Sequence, residues 1–300
     1  FANIAHGNSS IIADKLALSA ADIVVTEAGF GSDMGAEKFM HIKAATSGKS
    51  PDCVVMNVTV RSMKLHGGAF GSRGGYRPSK DELEAENVES VAIGAATNLD
   101  RHIRNMAGFG VPVIVSINKF TSDTDAEIKA ISDAAHASGA RAVTVTEVHS
   151  KGGEGGEDLA KAVVKAVQDH VAAGRPFTPL FVEDAPVMEK VEAIATRMYK
   201  AKDVYVETAA KKQLDKIISW GYGNLPVCMA KTQYSFSHDA GKLGAPSDFT
   251  LPIREFRLNS GAGFIVAILG NMMTMPGLPK RPAAIDMDMD DDGNQAGIFG

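Results

Sequence analysis

Cysteine is scarce in this 300-residue chain: there are two, Cys53 and Cys228. Both sit inside apolar runs, CVVMNV and LPVCMA, so they read as buried, reduced thiols rather than a disulfide framework or a nucleophile. Long apolar stretches are missing too. The most apolar late segment, Gly261 to Leu269, is far shorter than the roughly 20 residues a membrane span needs. The first residues lack the pattern of a secretory leader, and the expected location is cytoplasmic. Excess basic charge is absent, with a formal net charge of −5, so neither nucleic acid nor an anionic membrane is an expected partner. Histidines are scattered and the cysteines lie far apart, so no metal site is expected. G-x-S-x-G does not occur, which argues against a hydrolase elbow. An initiating methionine is also absent; the chain opens at Phe1 and reads as a cut into something longer.

What is present is a globular composition, 45% hydrophobic and 22% charged, enough for one large domain or two ordinary ones. The stretch that organises the chain is Asp22 to Phe39. Ile23-Val24-Val25 reads as a buried strand. It stops at Glu27 and breaks into Gly29, Gly31 and Gly35, with Asp33 between the last two and Glu37 and Lys38 just after them. A strand that ends in an acid and a glycine-rich loop is how open α/β sheets build ligand crevices.

Three more strands follow the same rule. Cys53 to Val60 runs into Arg61, Lys64 and His66, then into a glycine- and arginine-rich loop from Gly67 to Pro78. VPVIVSI ends at Asn118-Lys119-Phe120. RAVTVTEV ends at His149-Ser150-Lys151 and GGEGGE. Helical patterns alternate with them: IIADKLALSAAD, capped by Asn8, Ser9 or Ser10; one long stretch from Asp81 to Gly110; Asp125 to Ser138; and Glu157 to Ala172. Strands read as continuous Val/Ile runs where both faces of a parallel sheet are covered. The expected fold class is therefore α/β, a mostly parallel doubly wound sheet over residues 1–176. After Phe177 the texture changes. A helix from Val187, the strand KDVYVE, a helix ending near Trp220, and the strands LPVCMAK, FTLPIREFRLN and GAGFIVAILG read as a smaller α+β lobe over 177–300, with Trp220 in its core.

Three motifs are decoys. Ser47-Gly48-Lys49-Ser50 resembles the end of a Walker A loop, but Lys43 stands where its first glycine belongs and Pro51 follows; it reads as a loop between helix and strand. Gly29-Phe30-Gly31 is half a dinucleotide fingerprint, with the next glycine late, at Gly35. Asp288, Asp290, Asp292 and Gly293 begin a calcium loop, but Phe299 stands where its closing glutamate belongs. That tail reads better as a hairpin turn.

The chemistry gathers at strand ends. Glu27 and Asp33 could hold Mg²⁺ or a protonated substrate group. Lys38, Arg61, Lys119 and Lys151 could meet phosphate or carboxylate. Gly152, Gly153, Gly155 and Gly156 let a backbone approach a flat ligand, and Phe120 could stack on a ring. A ligand crevice follows from this, without a named ligand.

The segments FANIAHGNSS, VTEAGFGSDMGAEKF, VTVRSMKLHGG, KGGEGG, LPVCMAKTQYSFS, GAGFIVAI and MTMPGLPKRPAA closely resemble formate–tetrahydrofolate ligase, in one order over essentially the whole chain. The resemblance implies a P-loop NTPase-like sheet, incomplete here, and the ATP-dependent joining of formate to tetrahydrofolate through formyl phosphate. It implies ATP with Mg²⁺, activation by a monovalent cation (K⁺ or NH₄⁺), and a homotetramer. Carried over by residue, Phe39, Phe120, His149, Gly152 and Gly153 fall on the folate side. His149 stands where the family commonly has tryptophan. His6, Asn8, Ser9, Asn118 and Lys119 fall on the nucleotide side, and Glu27, Asp33 and Lys38 on the catalytic side. The family's P-loop precedes FANIAHG, so the expectation is a C-terminal portion that cannot run the ATP-dependent step alone. Two alternatives stay open: a non-catalytic folate- or nucleotide-binding subunit of a split enzyme, and a dinucleotide-dependent oxidoreductase resting on Gly29 and Gly31.

Overall fold

The computed structural model describes residues 2–71, 78–272, 280–291 and 295–296. Two sheets dominate. The first has three parallel strands in the order β1 (Val54–Val58), β2 (Val113–Asn118), β3 (Ala142–Thr146). Val54 pairs with Val113 and Ile114 with Ala142, so the three carboxyl ends finish side by side. The central strand is buried from Val113 to Ile117, as expected of a strand covered on both faces.

The helices follow their caps. α1 (Ile11–Ala20) starts at Ser10, whose hydroxyl accepts from Ala13 N. α2 (Ala44–Ser47) ends at Gly48, whose φ of 68° is the left-handed stop that glycine tolerates; SGKS is therefore the helix-to-strand loop expected of it. α3 (Val60–His66) begins with a Thr59/Ser62 capping box. The long helix read over Asp81 to Gly110 is instead broken. α4 (Lys80–Glu84) stops at Ala85, which is extended, and Asn87 caps α5 (Val88–Gly94) by accepting from Ser90 N. A cap side chain in mid-pattern competes with the helix ladder, and here it wins. A π turn over Ala95–Leu99 then joins α5 to α6 (Asp100–Ala107). α7 (Asp125–Ala137) joins β2 to β3 behind a Thr124/Glu127 capping box. α8 (Val148–Lys151) and a 3₁₀ turn, Gly152–Gly156, lead into α9 (Glu157–Ala172). α5 and α6 pack on α7, while α9 lies on β2 and β3.

The second sheet is mixed. α10 (Val187–Ala193) and a π turn at Ile194–Met198 precede β4 (Asp203–Val206). α11 (Thr208–Ser219), β5 (Val227–Ala230), β6 (Thr250–Asn259) and β7 (Phe264–Leu269) follow. The strand order is β4-β6-β7-β5, with β6 and β7 antiparallel and the outer pairs parallel. Side chains of both sheets, among them Val115, Ile117 and Ile253, join Val191 of α10 and Tyr199, just past the π turn, in one buried apolar cluster. The α/β class is as read, and so is the hairpin in the tail. β8 (Asp288–Met289) pairs antiparallel with β9 (Gln295–Ala296); the turn residues 292–294, like 72–77 of the glycine-arginine loop, lie outside the described residues.

Two further expectations fail. Ile23-Val24-Val25 is not a strand. The segment has no strand partner among the described residues, and Ile23 and Val25 are 47% and 89% exposed. A run of three apolar residues becomes a strand only where a neighbour supplies hydrogen bonds, and the single local bridge is Asn8 to Ala28. Trp220 is not core: it lies one residue past α11, 55% exposed, with the Lys216 ammonium 4.9 Å above its ring. The buried stripe of α11 is Ala210, Leu214 and Ile217, and Trp220 falls off its end. Cys228 is buried and Cys53 partly so; burial pushes the thiols up to about 12 and about 11.

Candidate functional site

The loop after Glu27 is held by backbone contact. Gly29 N donates to Gly7 O at 2.9 Å and Gly35 N to Gly29 O at 2.9 Å. A Cβ on Gly35 would lie 2.3 Å from Gly29 O, so only glycine fits. Asn8 reaches the same place: its side-chain amide donates to Gly35 O at 3.3 Å, and its backbone N–H meets His6 Nδ1 at 3.2 Å. The structure thus brings His6 and Asn8 onto the glycine loop. Ser9 stays exposed, and Ser10 is the helix cap. Phe30 sits between Gly29 and Gly31 at φ 60° and is 57% exposed. A bulky residue in the left-handed region costs on the order of 1–3 kcal/mol and marks a position that its surroundings force.

Behind that loop lies a buried charge cluster. Asp33 and Lys231 form an ion pair with side chains 5% and 0% exposed. Lys231, just beyond β5, also donates to Ser235 O and to Thr232 O at 3.1 Å, and Tyr199 OH donates to Asp33 O at 3.3 Å. Burial alone would raise the Asp33 carboxyl, but Lys231, His102 and Lys38 outweigh it and hold it below the usual range. Burial pulls Lys231 down in turn. His102 on α6 meets Ser32 Oγ at 2.6 Å through Nδ1 and packs its ring 4.5 Å from Phe236. Burial lowers its imidazole to about 4, against the pull of Asp33, so the ring is neutral at physiological pH.

Of the three catalytic candidates, Asp33 and Lys38 are therefore sealed in. Lys38 Nζ lies 3.4 Å from Met34 O and 3.7 Å from Glu37 Oε2, with neither side chain of that pair exposed. Glu27 stands apart and exposed. Because residues 23–25 are not a strand, Gly29-Phe30-Gly31 also lacks the strand that a dinucleotide fingerprint requires.

A second group forms at the carboxyl edge of the parallel sheet. β2 ends at Asn118, where Lys119 N donates to Thr146 O at 3.0 Å. Phe120 N then donates to Asp123 Oδ2 at 2.8 Å, which closes the turn. Phe120 is 37% exposed, and Arg61, from the first turn of α3, lays its guanidinium 4.4 Å from the ring centroid. Below them Lys64 and Glu127 form a buried pair at 2.9 Å. Asp123 Oδ1 is buried without a hydrogen-bond partner, and burial together with Glu127 raises that carboxyl.

β3 runs into Glu147, whose N–H meets Gly155 O at 3.0 Å and whose carboxylate holds Lys151 Nζ at 2.5 Å. A Cβ on Gly155 would strike Glu147 at 2.5 Å, whereas Gly152 (φ 58°) and Gly153 face open space. His149 is exposed and makes no ring contact with Phe120. Phe39 is half-buried at the start of the π turn Phe39–Lys43, with the Lys43 ammonium 4.7 Å above its ring. Lys119 Nζ stands 3.7 Å from Asp125.

Lys231, His102 and Glu127 escaped the sequence reading. The signal for Lys231 was there: a cation at the end of the apolar run LPVCMA follows the same rule that singled out Lys119. His102 and Glu127 lie within helical patterns that give no such mark. Among the described residues no group of three or more His, Cys, Asp or Glu could hold a metal ion, and no helix is long and apolar enough to cross a membrane. The family model for formate–tetrahydrofolate ligase matches residues 1–299, and the chain belongs to that family.

Proposed function

We propose that this chain supplies the folate side of an ATP-dependent ligase that joins formate to tetrahydrofolate. The observation that carries the assignment is Phe120: an aromatic ring at the carboxyl end of the central strand, one face backed by Arg61 at 4.4 Å and the ring still 37% exposed. A guanidinium on one face holds the ring in place and leaves the other for a flat heterocycle. Gly152 and Gly153, with open space where a side chain would be, allow close approach of the same ligand from β3. Phe39 and His149 complete the proposed folate side. His6, Asn8, Ser9, Asn118 and Lys119 are proposed to meet the nucleotide.

In the proposed reaction a formate oxygen attacks the γ-phosphorus of ATP, the bond to the bridging oxygen breaks, and ADP leaves. The folate N10 lone pair then attacks the formyl carbon, phosphate departs with the carbon–oxygen bonding pair, and N10 loses its proton. Phosphorylation is needed because a carboxylate oxygen is a poor leaving group. Glu27, exposed and without an ion-pair partner among the described residues, is the acid free to meet substrate; Asp33 and Lys38 shape the loop beside it. Mg²⁺ fits as a companion of the ATP phosphates rather than as a resident metal. A K⁺ or NH₄⁺ ion, a cytoplasmic location and a homotetramer belong to the same reading.

The test is the affinity of the chain for tetrahydrofolate, read by titration calorimetry, with Phe120→Ala as the variant. Loss of a stacking face weakens binding by about tenfold. An unchanged dissociation constant, or no binding by the unaltered chain, removes the assignment.

A further inference from the structure

A cleft of about 410 Å³ separates α6 from the π turn that ends at Met198. It lies between the parallel sheet's helices and the second sheet's, away from the strand ends described above. Asn105 spans it by donating to Met198 O at 3.1 Å. Its charge is one-sided: Arg101, Arg104, Arg197 and Lys200 line it, against a single acid, Asp100. The chain as a whole carries a net charge of −5, so this local excess runs against the protein's own field.

The four cations are not equally occupied. Arg101 is spent on the carbonyls of Ala245 and Pro246, and Arg104 Nε binds Asp100 Oδ1 at 2.7 Å. Arg197 donates once, from Nη1 to Leu180 O at 2.7 Å, and meets no carboxylate among the described residues. Lys200 has no ion-pair partner among them either. Its φ of 61° is the left-handed conformation at which a helix commonly ends in glycine. Arg104 and Arg197 stand in the last turns of their helices, where the helix dipole favours a cation; Lys200 lies beyond the helix and adds a charge that the dipoles do not require.

We propose that this cleft binds a small, multiply charged anion bearing phosphate or carboxylate groups. The free guanidinium edges of Arg104 and Arg197 match the planar pair of oxygens that either group presents, and Lys200 supplies a third, flexible donor. The volume is that of a small-molecule site.

The experiment is titration of the 300-residue chain with pyrophosphate in one arm and citrate in the other, followed through the arginine Nε–H resonances and by calorimetry. Saturable binding is expected, with shifts at Arg104 and Arg197, a marked loss of affinity on adding salt, and weakening by about tenfold in Arg197→Gln/Lys200→Gln. The tighter arm tells phosphate from carboxylate. Phe120→Ala leaves this affinity unchanged, which separates the cleft from the folate platform. Absence of binding at millimolar anion, binding indifferent to the double variant, or shifts confined to other arginines of the unaltered chain would overturn the proposal.

Discussion

Lys231 carries its charge into a place that water does not reach, and the cost of doing so is met by Asp33, the carbonyls of Thr232 and Ser235, and the Tyr199 ring at 5.3 Å. Removing one member of such a pair leaves the other buried and uncompensated. Lys231→Met is expected to lower the free energy of unfolding by about 3–5 kcal/mol, measured as a shift of the urea midpoint at unchanged slope. Lys231→Met combined with Asp33→Leu recovers much of that loss, because no charge is then left stranded.

His102 gives a prediction in pH. Its folded imidazole titrates near 4, well below the ordinary 6.5, so the unfolded chain takes up the proton first. The stability this group contributes is full above pH 6.5 and is lost as pH falls from 6.5 toward 4, by at most about 1.4 kcal/mol per pH unit. His66 and His238 are lowered by burial too and act in the same direction. Urea titrations at pH 7, 6 and 5 measure the slope, and His102→Gln flattens it. Equal slopes for the two chains remove His102 as its source.

At the scale of elements, the crossing of α3 and α5 is set by two glycines. A Cβ on Gly94 would stand 2.1 Å from Met63 O, and one on Gly67 would stand 1.7 Å from Ser90 O. The obstacles are backbone, so they cannot rotate aside. Gly94→Ala is expected to destabilise by about 1–3 kcal/mol or more, since the helices must move apart; a melting temperature within a degree of the unaltered chain's would refute it. Neither contact was legible in the sequence: Gly94 sits inside a helical pattern, where a glycine looks the same whether it packs or not, and Gly67 reads as the first residue of a loop.

What was legible followed from local chemistry. Val113–Ile117 declares a buried strand by a run that is apolar but for Ser116, and Ser10, one of three candidate caps, starts its helix through a hydroxyl that meets its own backbone; the caps at Thr59 and Thr124 were not legible, and Thr59 falls within the run read as a strand over Cys53 to Val60. Ile23–Val25 misled for the converse reason: strand pairing is supplied from outside the segment. The candidate site divides the same way. Phe120 and the Gly152–Gly156 turn could be placed because strand ends carry function in such sheets. The pairing of Asp33 with Lys231, nearly 200 positions away, depends on how the second sheet docks and leaves no local trace.

For the whole molecule, the uneven part is α1. It buries none of its residues: Ile12 is 80% exposed, Leu16 70% and Leu18 45%, with Ile23 and Val25 bare beyond its end. Its anchor is an ion pair instead, Asp14 to the buried Lys43 at 2.5 Å. A helix that gains nothing from its apolar residues loses nothing when they change, but a contiguous apolar surface of this kind lowers solubility. Ile12→Lys/Leu16→Lys is therefore expected to leave the unfolding free energy within about 0.5 kcal/mol of the original while raising the concentration at which the chain stays monodisperse, as read by light scattering. Asp14→Asn should do the reverse. It strips Lys43, 2% exposed, of its counter-charge and loosens α1, which hydrogen exchange at Leu16 to Ala20 would register as lost protection. A double lysine variant that unfolds more readily would mean that those side chains pack after all; an Asp14→Asn chain with unaltered exchange would mean that α1 is held by something other than the Asp14–Lys43 pair.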